Sequence, residues 1–453
     1  MGKYFGTDGF RGKAGDTLTA EQAFKTGRYL GYYLKMKINN HERKPRVTIG
    51  KDTRLSSYML EYAISAGLAA SGVDVYLLHV TTTPCVSYVT LTDGFDAGVM
   101  ITASHNPYYD NGIKIIDSHG EKLGDEIASL IESYIDGEIG ELPCIGGKEI
   151  GKIHDYYSGR NRYVGYLISL ASSSYKGLRI GIDAANGSAF AISRSVFTAL
   201  GAEVHAIGDE PDGTNVNEFC GSTHPERLSL LVRREGLDIG FAFDGDADRC
   251  IAVDNLGNII DGDRIMYVLA NRFRRLGMLP HDALVATVMS NSGFIKTMAS
   301  SGIKVETTRV GDRFVYERMQ EIGASLGGEQ SGHIIIRKYA TTGDGILTAV
   351  MLTEELCDTD KSLSELVNGV TLYPQISIGV RVKNRSFAAK DEELLRLSDA
   401  IAKEIGDNGR LLIRESGTEP KLRIMVEAES EELCKKHADR IISLLSERGH
   451  IDE

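Results

Sequence analysis

The sharpest chemical signal in this 453-residue chain is an alternating run of carboxylates, Asp244, Asp246 and Asp248 in FAFDGDADRCIAVD, set in a tight loop between two β-rich runs. Three carboxylates converging with a phosphate oxygen suit a hard, oxygen-seeking ion such as Mg²⁺. A calcium loop of the EF-hand kind does not fit, because its sixth position is Arg249 rather than glycine and its twelfth is Asn255 rather than glutamate. A solvated acidic turn would leave unexplained why Arg249 follows the acids directly, where a metal-bound phosphate would want a cation.

A second signal is GVMITASHNPYYDNGIKII, from Gly98 to Ile116. An apolar run delivers Thr102, Ala103, Ser104, His105 and Asn106 into a sharp loop, and Pro107 biases Asn106 away from helix. A serine at the carboxyl end of a strand in an open α/β sheet sits where such folds bind ligands. Taken alone, Ser104 is as readily an ordinary loop serine, since neither a G-x-S-x-G elbow nor a Ser-His-Asp order is present. A third segment, GGEQSGHIII, begins at Gly327 and offers Glu329, Ser331 and His333 to sugar hydroxyls or to a proton transfer, although a structural polar turn explains it equally well. The fourth, RESGTEPKLRIMVEA, carries Arg414, Ser416, Gly417, Thr418 and Arg423, the composition of a phosphate cradle. Neither G-x-x-x-x-G-K-[ST] nor G-x-G-x-x-G occurs, so a nucleotide is not the obvious ligand.

The elements that must hold these groups come from a degenerate internal repeat. Segments beginning at Val47, Leu178 and Leu284 each read as a β-rich run, a small-polar loop, an amphipathic helix ended by a glycine (Gly72, Gly201, Gly302) and a second β-rich run. That order makes a βαβ unit with a parallel pair. Three copies predict an α/β protein of three similar domains, mixed sheets between helices, followed by a smaller C-terminal α+β domain around a central cleft. The expected limits are 1–150, 151–256, 257–370 and 371–453, with a join near Pro374, a hairpin turning around Asn255–Asn258, and late helices from about Asp391 and Glu431.

Composition narrows the class. Charged residues at 25% and hydrophobic residues at 42% are ordinary for a soluble globular protein, and a formal charge of −12 lacks the basic footprint of a nucleic-acid binder. No apolar run approaches a membrane span, MGKYFGTDGFRG lacks a signal-peptide stretch, and the six scattered cysteines form no C-x-x-C, so a reduced cytoplasm is the expected compartment. An acidic chain that binds a phosphosugar must gather its cations locally.

The four motifs, in this order, resemble the phosphohexomutase superfamily across essentially the whole chain. Ser104 matches that family's phosphoserine in T-A-S-H-N-P, and Asp244, Asp246 and Asp248 its D-G-D-x-D-R magnesium loop. Glu329, Ser331 and His333 match the sugar loop G-E-x-S-G-H, and Arg414, Ser416, Gly417 and Thr418 the phosphate loop R-x-S-G-T-E-P. The resemblance implies a phosphoserine that donates to a hexose monophosphate, with one Mg²⁺ per chain held by Ser104 and the three aspartates. It implies a bisphosphate that turns around in the site, and a mobile fourth domain that closes over it. Arg11, Lys114 and His333 are the implied catalytic groups, with Arg249 and Arg423 among the substrate-binding cations. KYFGTDGFRG, ASHNPYYDNGIK, VGDRFV and GGEQSGH are most similar to the branch acting on glucosamine phosphates, whose bisphosphate is glucosamine 1,6-bisphosphate and whose product feeds UDP-N-acetylglucosamine and cell-wall precursors. Another hexose bisphosphate would serve as activator. Phe10, Ala247 and Glu415 depart from the family's commoner residues. The sister glucose and mannose mutases stay open, as does a silent sugar-phosphate sensor, while a phosphatase would not need a second phosphate cradle. The implied partner is a small phosphosugar, not nucleic acid or membrane, with pairing into a homodimer left open.

Overall fold

The computed structural model describes residues 2–6, 9–38, 43–415 and 420–452. The chain divides into two units, Met1–Val288 with Glu306–Val367, and Met289–Val305 with Asn368–Glu453.

In the first unit the repeat folds as expected. Strand Arg46–Lys51, helix Leu55–Ala69 and strand Asp74–Val80 form a parallel βαβ unit, and Arg179–Asp183, Ala189–Ala199 and Glu203–Ile207 form the next. Gly72, Gly201 and Gly302 all adopt positive φ, at +86°, +101° and +75°, a conformation that costs glycine nothing and lets the chain leave each helix sharply. The first sheet runs Phe5–Gly6, Gly9–Lys13, Asp110–Asp117, Ala97–Ile101, Arg46–Lys51, Asp74–Val80 and Ile153–Asp155. Its middle is parallel, while Asp110–Asp117 and Gly9–Lys13 run antiparallel. The second sheet runs Ile259–Ile260, Cys250–Val253, Ile239–Phe243, Arg179–Asp183 and Glu203–Ile207, and its antiparallel end contains the hairpin expected around Asn255–Asn258. A third sheet joins Ala283–Thr287, Leu326–Gly328 and Ile334–Ile336, with Lys304–Thr308 at its other edge.

Helices on both faces explain the apolar strands. Ala97–Ile101 and Ile239–Phe243 are buried at every position, as strands covered on two sides must be. Helix Gly345–Thr359 is buried over most of its length and starts from Asp344, whose side chain caps the Leu347 N–H at 2.9 Å and accepts the Tyr163 hydroxyl at 2.8 Å. Burial pushes the Asp344 carboxyl up to about 6, against the pull of those donors. The folded chain therefore holds this proton more tightly than the unfolded chain, and the associated stability is lost as pH rises through about 6. Asp344→Asn keeps the cap and removes the proton. The variant is expected to gain about 1 kcal/mol on its parent between pH 5 and pH 8 in urea unfolding, and a gap that does not change with pH would contradict this account.

The second unit is an antiparallel sheet, Gln375–Arg381, Lys421–Glu427 and Arg410–Glu415, with helices Glu392–Ile405 and Glu431–Glu447. Those helices start where expected, at about Asp391 and Glu431, and the side chains of Asp391 and Ser430 cap them. The helix of the third repeat, Ser292–Ser300, packs here. The Ser292 N–H donates to Glu427 Oε1 at 3.0 Å, and Asn291 Nδ2 donates to the Tyr373 carbonyl at 2.8 Å. Among the described residues no helix is long and apolar enough to cross a membrane.

Candidate active site

Two loops leave the carboxyl ends of buried strands and meet. Strand Ala97–Ile101 runs into Thr102, Ala103 and Ser104; strand Ile239–Phe243 runs into Asp244 to Asp248. Ser104 is 2% exposed and donates from Oγ to Asp244 Oδ2 at 2.7 Å, and its Oγ lies 3.3 Å from His105 Nδ1. Its backbone is left-handed, φ 54°, an uncommon state for a serine that its surroundings must enforce.

The three aspartates are buried, and one ligand oxygen of each lies within 4.8 Å of the others. Lys114 reaches them from strand Asp110–Asp117, donating to Asp246 Oδ2 at 2.7 Å and to Asp248 Oδ2 at 3.1 Å. The Thr83 hydroxyl also donates to Asp246. The charges are divided unequally. Burial, then repulsion from Asp248 and Asp246, pushes the Asp244 carboxyl well above its ordinary value. Burial opposes ionisation of Asp246 too, but Lys114, Thr83 and the charge of Arg11 hold it below the usual carboxylate range.

Asp246 Oδ1 and Asp248 Oδ1 are buried without a hydrogen-bond partner among the described residues. Orphaned carboxylate oxygens in a buried cluster are costly unless a cation completes them. The donor set is all oxygen and mostly anionic, so these residues fit a hard divalent ion. Ala247 has φ 55°, a left-handed backbone that glycine adopts more readily than alanine.

The third motif flanks this cluster. Arg249 and His333 form an antiparallel bridge, and the Arg249 N–H donates to Asp244 Oδ1 at 3.3 Å. His333 is 3% exposed, and neither ring nitrogen has a hydrogen-bond partner among the described residues; its Nε2 lies 3.6 Å from Asp312 and 4.0 Å from Asp248. Glu329 accepts the Gly311 N–H at 3.0 Å, and Ser331 is exposed. A cleft of about 790 Å³ is lined by Thr83, Lys114, Asp248, Arg309, Asp312 and Arg313 among others, ample for a hexose bisphosphate. Arg11 lies on strand Gly9–Lys13, opposite Gly112.

Arg414 and Arg423 belong to the second unit, where they are cross-strand partners. Ser416, Gly417 and Thr418 lie outside the described residues. Glu415, the acidic departure in this motif, accepts the Ser386 hydroxyl at 2.9 Å and lies 3.6 Å from Arg385, so its charge has a local partner. Sequence reasoning missed Thr83, Asp312, Arg54 and Asn217. Asp312 sits in VGDRFV, a visible motif, whereas the other three had no spacing signal of their own.

Fold and site together define a phosphohexomutase. Residues 2–140, 161–257 and 261–373 match phosphoglucomutase/phosphomannomutase alpha/beta/alpha domains I, II and III, and residues 378–444 match the C-terminal domain. A phosphoglucosamine mutase of Lachnoclostridium phytofermentans is 52% identical over 451 residues, covering 100% of both chains. One from Lachnospira eligens is 53% identical over 450 residues, covering 99% of this chain and 100% of its own. A crystal structure of a phosphoglucomutase/phosphomannomutase family protein from Burkholderia thailandensis superposes with a TM-score of 0.80 at 26% identity, over 98% of this chain and 96% of that one. The chain belongs to the phosphoglucosamine mutase family.

Proposed function

We propose that this chain interconverts glucosamine 6-phosphate and glucosamine 1-phosphate in the cytoplasm through a phosphoserine at Ser104. The observation that carries the reading is the Ser104 hydroxyl held 2.7 Å from Asp244 within a buried carboxylate cluster. A nucleophile placed there returns to one position after each transfer, which is what a mutase requires. The bond from phosphorus to Ser104 Oγ breaks as a bond forms to the free sugar hydroxyl, whose proton leaves to a base. The resulting bisphosphate turns around and gives its other phosphoryl group back to Ser104 Oγ.

Asp244, Asp246 and Asp248 would hold one Mg²⁺, which when bound supplies positive charge to the phosphoryl oxygens and lowers their repulsion toward an incoming hydroxyl. Lys114 keeps two of those aspartates oriented and adds its own charge. His333, buried at the edge of the same cluster, is the assigned proton acceptor, a task that suits an imidazole near neutral pH. Arg249 is assigned to the substrate phosphate, with Glu329 and Ser331 on the sugar side.

The reading is tested by phosphorus NMR of glucosamine 6-phosphate with the protein, Mg²⁺ and a trace of hexose bisphosphate, beside glucose and mannose 6-phosphates. The 1-phosphate is expected to appear fastest from glucosamine. A faster reaction of glucose or mannose phosphate would move the chain's substrate to a sister sugar, and release of free phosphate alone would overturn the mutase reading.

A further inference from the structure

The Ser104 loop is held from two sides by side chains that belong to no known site motif of the chain. Arg54 is fully buried and spends every guanidinium N–H on this loop and its anchor. Nε donates to Asp52 Oδ2 at 2.7 Å, Nη1 to the carbonyls of Pro107 and, at 3.0 Å, Asp110, and Nη2 to the carbonyls of Ser104 at 2.9 Å and Asn106 at 2.8 Å. Asp52 in turn accepts the Thr102 hydroxyl at 2.8 Å and the Ser57 hydroxyl at 2.7 Å, and Thr102 Oγ1 accepts the Ser104 N–H at 2.9 Å. Both backbone groups of Ser104 are thus fixed by one connected network.

The second side comes from the loop that follows the edge strand Glu203–Ile207 of the second sheet. Asn217 Nδ2 donates to the same two carbonyls, Ser104 at 2.8 Å and Asn106 at 3.1 Å. Asn217 is itself left-handed, φ 57°, with its N–H on the Ala185 carbonyl at 2.9 Å. Gly245 of the aspartate loop closes the arrangement, since a Cβ there would stand 2.6 Å from the Ser104 carbonyl and 3.2 Å from Asn217 Nδ2. The serine backbone, the aspartate loop and Asn217 therefore meet at a spacing that only glycine at 245 permits.

We propose that Arg54 and Asn217 form a two-sided clamp on the Ser104 and Asn106 carbonyls that sets the Ser104 oxygen against the carboxylate cluster, acting as positioning residues for phosphoryl transfer. This rests on Ser104 being the phosphoserine. Neither residue contacts the reacting oxygen. Their effect passes through the left-handed serine backbone, where a small rotation would carry Oγ away from Asp244. A displacement of about 1 Å at a reacting atom is enough to lower a rate by roughly 100-fold.

Asn217 carries the test, because replacing Arg54 strips five bonds at once and endangers the fold. Asn217→Gly removes the donor and keeps the positive φ accessible. Asn217→Asp keeps the shape and turns an acceptor toward two carbonyls. Each protein is first phosphorylated with a hexose 1,6-bisphosphate, and the phosphorylated fraction is counted by intact mass and localised by peptide mapping. We expect kcat per phosphorylated chain to fall about 10- to 100-fold in both variants with KM for the sugar phosphate within about threefold of the parent, and the aspartate variant to be no better than the glycine variant. The phosphoserine phosphorus resonance should shift in both. Parent-like kcat per phosphorylated chain, even with a lower melting temperature, would reduce Asn217 to a structural role and overturn the clamp. So would an aspartate variant close to the parent, since shape alone would then suffice. A parent protein that takes no phosphate at Ser104 would sink the phosphoserine reading itself, and the clamp with it.

Discussion

Ser104→Ala is expected to lower mutase turnover by about 10⁴-fold or more, while the protein still folds. The loss is this large because the proposed reaction uses the serine as a covalent carrier, and no other hydroxyl among the described residues is held against the carboxylate cluster by the same network. Thr83 also donates to that cluster, but its hydroxyl is engaged with Asp246. The structural penalty is small by comparison. The variant forfeits the bond to Asp244, which costs about 1–3 kcal/mol if that oxygen is left unpaired. Steady-state assay beside a thermal melt checks both halves. Near-normal activity in a folded variant would end the assignment of Ser104.

Lys114→Met is the second large expectation, and it separates charge from packing. Lys114 is 6% exposed and pairs with two of the three buried aspartates. Removing one partner from a buried pair strands charge in a poor solvent, a loss of about 3–5 kcal/mol, whereas the methionine stem keeps most of the packing. With the protein stripped by a chelator, the variant should melt well below its parent. Millimolar Mg²⁺ should then raise its melting temperature more than it raises the parent's, because a cation bound by the aspartates replaces part of the missing charge. Turnover should fall by roughly 10²- to 10³-fold even in saturating Mg²⁺, since the proposed reaction also sets the lysine against charge in the transition state. Equal melting responses to Mg²⁺ in the two proteins would show that Lys114 does not compensate these carboxylates.

The two variants probe parts of the site that were unequally legible. Ser104 and the three aspartates stood out because each lies in a short motif at the end of an apolar strand, and a motif of that kind is local in sequence. Lys114 has no motif of its own and is marked only by the resemblance to a family. Its ammonium works at the aspartate cluster because strand Asp110–Asp117 pairs antiparallel with Ala97–Ile101, setting Lys114 opposite Met100. The third repeat is a similar case. Its strand, helix and strand were recognisable by pattern, yet the helix Ser292–Ser300 makes its bonds with Glu427 and Tyr373, far along the chain.

From the sequence by itself came whatever depends on neighbours along the chain: the three βαβ repeats with their terminal glycines, the alternating aspartates, and a serine placed just beyond a buried strand. These follow from period, propensity and turn chemistry, which act over a few residues. Only the tertiary structure decided that Arg54 and Asn217 converge on the carbonyls of Ser104 and Asn106, and that Lys114 and Thr83 share Asp246. Those groups lie between 50 and 163 residues from their partners. An arginine or asparagine at such a distance has no spacing that distinguishes it from one on the surface, because its role is fixed by where the packed sheets bring it.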